Sequence, residues 1–338
     1  MAKNERARRR RQDKKRERAK RLARERNLRR NEPAPREYVP GLDAVFADER
    51  RQRRIGLLAA SRGLTTEEEL TKLVDEFRAS PWWEIAADLV EASDGETAQE
   101  LAFCAMETED DEEALEFAEE ALELDASNCD ALVTRAQLQE EELGEERFLA
   151  ALYEAVELGA KALGGDEFFR AAEGEFGEIA FALPYLRARF ALANELRVLR
   201  RDDEALVELT DLLKLDRHDL HGARFKLTGL RLVRGELDEA RELIERFGNE
   251  ERTIWRWARV LERYRSGDEA GALAVLDAAL ESNVHFARFL IANVQPPFDD
   301  PDAVTAFSEG VEIVNQLFLL LPENAAFVAW LRAARPRP

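Results

Sequence analysis

The chain has 338 residues, with 50 Lys and Arg against 70 Asp and Glu, a net charge of −20 and a pI of about 4.8. No stretch approaches the ~20 apolar residues of a membrane span. Residues 1–40 are basic, but no apolar segment follows that would make a secretory signal. A mitochondrial presequence would be poor in acids and rich in Ser, whereas Glu5, Asp13, Glu17 and Glu25 interrupt this segment and it has no Ser. The expectation is a cytoplasmic protein with no membrane partner. Cys104 and Cys129 lack CxxC spacing and are read as reduced packing residues. Ala, Leu, Glu and Arg dominate, and all are strong helix formers.

Residues 1–31 hold 16 Lys and Arg against 4 Asp and Glu, a net of +12; the rest of the chain carries −32. As a helix this segment would show only a thin apolar stripe at Ala19, Leu22 and Ala23. That is too little to offset chain entropy, so 1–40 is expected to be a disordered basic arm ending in a linker marked by Pro33, Pro35 and Pro40. Arg8, Arg9, Arg10, Arg11, Lys14 and Lys15 are its candidate nucleic-acid contacts. They would gain affinity by releasing phosphate counterions. Residues 1–31 have no aromatic residue for base stacking, so weak, sequence-poor RNA or DNA binding is expected.

Residues 41–95 are expected to form an N-terminal helical segment. Leu42, Val45 and Phe46 share one face, Ile55, Leu57 and Leu58 extend it, and Gly63 breaks it. Thr66-Glu67-Glu68-Glu69 has the form of a capping box. Ser80-Pro81 opens a further helix, in which Trp82 and Trp83 supply bulk.

A repeat occupies 96–335. Asp111-Glu112-Glu113-Ala114-Leu115 leads into Ala118, Ala121 and Leu122. Asp203-Glu204-Ala205-Leu206 leads into Leu209, Leu212 and Leu213. Leu237-Asp238-Glu239-Ala240 leads into Leu243 and Ile244, and Gly267-Asp268-Glu269-Ala270 leads into Ala272 and Leu276. Each is an acidic turn suited to a helix N-terminus, then a small residue, then an apolar stripe. Ala205, Ala240 and Ala272 are 35 and 32 residues apart, close to the ~34-residue tetratricopeptide period. The fold expected is all-α, a tetratricopeptide-like α-solenoid of antiparallel helix pairs with an irregular stretch at 140–183.

Three further blocks carry a resemblance: Phe176-Gly177-Glu178-Ile179, then Leu183-Pro184-Tyr185-Leu186-Arg187-Ala188-Arg189, then Leu215-Asp216-Arg217-His218-Asp219 with Gly222-Ala223-Arg224-Phe225. With these, residues 66–335 resemble bacterial tetratricopeptide-repeat proteins related in their central segment to the suppressor-of-tumorigenicity proteins. The chain departs from that family's pattern at Leu183, Leu186, Arg217, Leu220 and His221. The resemblance implies an α-solenoid with a binding role and supplies no catalytic residues.

Residue chemistry points the same way. Gly164-Gly165 is followed by Asp166, without the GK[ST] of a phosphate loop. The histidines are His218, His221 and His285. His218 and His221, near Asp216 and Asp219, are read as part of a solvated turn before a helix rather than as metal ligands. No enzyme activity, cofactor or metal is expected. With Ala205 as the small position of its repeat, Arg187, Phe190, Asn194 and Arg197 fall on the inner face of the 184–200 helix. Two guanidiniums, an amide and a ring can grip an acidic or C-terminal peptide, and Arg224 with Phe225 extends the surface. The expected function is a non-enzymatic scaffold for a protein or peptide partner. The alternative is a ribosome- or nucleic-acid-associated factor working through the basic arm.

Overall fold

A computed structural model describes residues 42–78, 93–248, 252–292, 301–313, 317 and 324–335. The basic arm, its six candidate contacts, the linker and the Trp82–Trp83 pair lie outside them. The described residues are all-helical, with seventeen α-helices, one 3-10 turn and no strand. Among them no helix is long and apolar enough to cross a membrane. The chain divides into two compact units. One comprises residues up to Glu195 with Leu215–Arg217; the other comprises Leu196–Lys214 with His218 onward.

The first unit contains α1 (Leu42–Arg62), α2 (Glu67–Arg78), α3 (Asp94–Glu107), α4 (Asp111–Leu124), α5 (Cys129–Leu138), the single turn α6 (Glu140–Leu143), α7 (Glu145–Ala162), α8 (Gly165–Ala171) and most of α9 (Leu183–Val198). Local chemistry sets many of the helix starts. The Thr66–Glu69 box closes as expected: Glu69 N–H donates to Thr66 Oγ1 at 3.3 Å and Thr66 N–H to Glu69 Oε2 at 3.2 Å. Ser93, Asp110 and Asn128 cap α3, α4 and α5. The core of α3, α4 and α5 is rich in alanine, with Ala98, Ala102, Ala118, Ala121 and Ala131 buried around Leu101 and Phe117. Small side chains let these helices approach closely. α3 packs on both α4 and α5, and α5 packs on α7. At Gly159 a Cβ would overlap Cys129 Sγ, so α7 requires glycine to lie this close to α5.

Residues 41–95, expected to form an N-terminal helical segment, contribute α1 and α2 to this unit. Much of 140–183, expected to be irregular, is the regular 18-residue α7. Irregular backbone follows it, where the 3-10 turn Phe176–Glu178 meets the chain returning at Leu215–Arg217. Glu175 and Asp216 form an isolated bridge, Arg217 N–H donates to Gly174 O at 3.0 Å, and the Arg217 guanidinium pairs with Glu175 and Glu178. A Cβ on Gly177 would overlap the Asp216 carboxylate. Two of the blocks singled out in the sequence therefore sit against each other.

The second unit holds the end of α9, α10 (Asp202–Leu215), α11 (Ala223–Arg234), α12 (Leu237–Phe247), α13 (Thr253–Arg265), α14 (Glu269–Ser282), α15 (Val284–Ala292), α16 (Pro301–Ile313) and α17 (Asn324–Ala334). α11 packs on α12 and α13, α13 on α14, and α15 on α16 and α17. Trp255, Trp257, Leu261, Leu276, Phe286, Phe327 and Leu331 form its core. Each fully buried Leu or Phe of this kind contributes about 1.5–3 kcal/mol. The small residues picked out by the repeat, Ala114, Ala205, Ala240 and Ala272, are all buried.

Candidate functional site

A cavity of about 270 Å³ opens in the second unit. It is bounded by the 219–222 turn with the first turn of α11, by the start of α13, and by α16. Asp219 organises the turn. It adopts a left-handed backbone with φ of 49°, which Asp tolerates better than most residues. Its carboxylate then caps α11, accepting from Ala223 N–H at 2.6 Å, Arg224 N–H at 3.0 Å and Arg224 Nη1 at 2.8 Å. Burial pushes the Asp219 carboxyl above its ordinary value, and these donors offset that only in part. Asp216 and Asp219 are both buried, so this turn is less solvated than its composition suggests. His218 is exposed. No group of three His, Cys, Asp or Glu side chains that could hold a metal occurs among the described residues.

Phe225 is the aromatic wall of the cavity and rests on Trp255, with ring centroids 5.2 Å apart. Two guanidiniums stack on it, Arg224 at 4.4 Å and Arg252 at 4.8 Å from the ring centroid. The Arg224 guanidinium is engaged by Asp219. Arg252, exposed just before α13, forms no ion pair among the described residues. Several other arginines, Arg246 over Phe247 among them, also form no ion pair among the described residues; Arg252 is the one of these that lines this cavity. α16 contributes Glu309 and Glu312 to the cavity lining. Asn283 Nδ2 orients Glu309 at 3.1 Å while also donating to Ala306 O. A guanidinium lying over a ring keeps its planar fork of donors available to a carboxylate. The glutamates suit a cation beside that carboxylate. The volume lies just below the ~300–1,000 Å³ of small-molecule pockets, a size for one or two side chains.

The candidate residues of the 184–200 helix have other surroundings. Arg187 lies in the first unit, clamped between two carboxylates. Nη1 and Nη2 reach Glu49 at 2.7 and 3.2 Å, and Nε and Nη2 reach Asp130 at 2.8 and 2.6 Å. Gln99 adds a 2.7 Å hydrogen bond to Asp130 and receives one from Asn128. Burial alone would raise the Asp130 carboxyl; Arg187 and Gln99 outweigh it and hold the group below its ordinary value. Burial would likewise lower Arg187, but its two carboxylates raise it. Phe190 and Asn194 are half-buried in the same unit. Arg197, Arg224 and Phe225 belong to the second unit. Arg197 is buried, and that burial lowers its pKa against the opposing pull of Asp202 and Glu312. Lys226, also close to Arg197 and Glu312, is lowered to about 8, chiefly by burial.

Of the six candidates, Arg224 and Phe225 meet at the cavity. Arg252 completes it and carries no local sequence signal: it lies 27 residues after Phe225 and outside any motif. No family model matches the chain, and no curated protein is significantly similar to it.

Proposed function

We propose that the protein is a non-enzymatic helical-repeat scaffold that binds a protein or peptide partner, with the cavity at Phe225 as its recognition point. The helices stack as a tetratricopeptide-like α-solenoid of antiparallel pairs. Two features support this. Alternate helices pack on one another as well as on their neighbours, as α3 does on α5 and α11 on α13, and the repeat's small residues are buried. Such stacking lets each pair bury a face it could not bury alone. The meeting of the Phe176-Gly177-Glu178 and Leu215-Asp216-Arg217 blocks supports kinship with the bacterial tetratricopeptide proteins. The setting is the cytoplasm.

Arg252 carries the binding proposal. It is an exposed guanidinium, lying over the Phe225 ring at a cavity, without an ion pair among the described residues. The ligand that fits is a peptide segment in which an Asp or Glu adjoins a Lys or Arg. Panning random peptides on the full chain is expected to enrich that pattern, with binding that falls about tenfold or more in Arg252→Ala, worth about 1.4 kcal/mol. Enriched peptides indifferent to both Arg252→Ala and Phe225→Leu would refute the site.

A second reading is favoured by one observation, the +12 charge of residues 1–31. The arm binds RNA or DNA weakly and without sequence preference, as a ribosome- or nucleic-acid-associated factor would. A steep fall of that binding with salt, and its loss on deleting residues 1–36, would support this; binding that persists without the arm would contradict it.

A further inference from the structure

Helix α1 is held to α3 and α9 in an unusual way. Phe46, Glu49, Arg50 and Arg53 fall at i, i+3, i+4 and i+7, on one face of the helix. Phe46 meets Phe103 at 5.1 Å and lies under the Arg187 guanidinium at 5.6 Å. Glu49 takes both terminal nitrogens of Arg187. Arg50 forks onto Glu107 at 2.6 and 3.0 Å, reaches Glu100 at 3.2 Å and covers the Phe103 ring. Arg53 donates to Glu96 at 3.4 Å and to Ala180 O at 2.9 Å. Glu49 and Arg50 are 2 % and 6 % exposed, so these are interior contacts. Farther along α1, the buried Leu58 and Ala59 pack with Leu73 of α2.

Among its described side chains, this face of α1 is therefore mainly one ring and a set of ion pairs. When such an interface opens, the separated charges regain hydration, which offsets much of the lost attraction. An apolar interface recovers nothing comparable. The pattern also reads as a ligand: a helix laid on a surface through anchors at i, i+3, i+4 and i+7 is a general mode of peptide recognition. We propose that α1 is an intramolecular ligand. It occupies a docking surface of α3 and α9 that takes, in trans, a partner helix carrying Phe, Glu, Arg and Arg at those spacings. Tethered in the same chain, α1 acts at an effective concentration in the millimolar range and keeps the surface closed to weaker partners. This surface is separate from the cavity at Phe225, and the proposal stands or falls independently of it.

The test uses a fluorescent synthetic peptide of residues 42–62 and the full-length chain. Glu49→Lys with Arg50→Glu in the chain weakens the tethered helix but leaves Arg187, Asp130, Glu100 and Glu107 in place. That chain is expected to bind the peptide at least about tenfold more tightly than wild type does, and to reject a peptide carrying the same two changes. A folded variant that binds no more tightly than wild type would overturn the proposal. Should the variant fail to fold, hydrogen exchange on the wild-type chain decides. Excess 42–62 peptide is expected to speed exchange in the chain's own α1 and leave α3 and α5 protected. Exchange in α1 that ignores the peptide and matches α3 and α5 would overturn it equally.

Discussion

Asp130, buried, and Lys226, half-buried, are charges with opposite signs of linkage to folding. Asp130 lies below its ordinary value, so the stability it adds is present above about pH 4 and is lost as pH falls through its folded value. Asp130→Asn leaves Arg187 with Glu49 alone and is expected to cost about 3 kcal/mol at pH 7, toward the low end for a broken buried pair. Denaturant melts from pH 3 to 7 should show a shallower acid limb in the variant. Lys226 is lowered to about 8, against about 10.4 in an unfolded chain. Its protonation opposes folding at neutral pH, and stability should rise as pH climbs from about 8 to 10.4. Lys226→Met should add about 1–2 kcal/mol at pH 7 and flatten that rise. None of this was readable beforehand. Asp130 and Glu49 lie 57 and 138 residues from Arg187, and spacing within one helix says nothing about carboxylates that distant packing delivers. Arg187 therefore read as an open groove residue when its donors face inward.

Helix ends and contact points were far more legible, because their chemistry is local. The Thr66 box needs only Thr and Glu three residues apart, and Ala205 and Ala240 show themselves as small residues at a fixed place in an apolar stripe. Asp110 accepts from Glu113 N–H at 2.9 Å at the start of α4, and Asp110→Ala is expected to cost about 0.5–2 kcal/mol in thermal or denaturant melts. Gly159 was not legible: a glycine inside a helix reads as a weak point, and only the approach of α5 explains it. Gly159→Ala should destabilise despite alanine's better helix propensity, because the new methyl meets Cys129 Sγ. Adding Cys129→Ala should recover much of the loss. A double-mutant cycle with no coupling would show that the two helices do not meet there.

At the scale of the whole molecule, the sequence separates a +12 arm from a −32 body, and the two suit different partners. By its charge alone, the arm suits polyanions. The body, strongly acidic, offers an anion only those places where a cation is held out of its own ion-pair network, and Arg252 on Phe225 is such a place. Half of that site was anticipated, since Arg224 and Phe225 stand together in one block. Arg252 could not be, because stacking across two helices leaves no trace in spacing. The most direct measurement is a salt-series titration of one enriched acid–base peptide against three chains: full length, the 1–36 deletion and Arg252→Ala. Binding that survives the deletion and weakens about tenfold or more in Arg252→Ala is the expected result. Binding that disappears with the arm and ignores Arg252 would contradict the scaffold account and leave the arm as the working part of the protein.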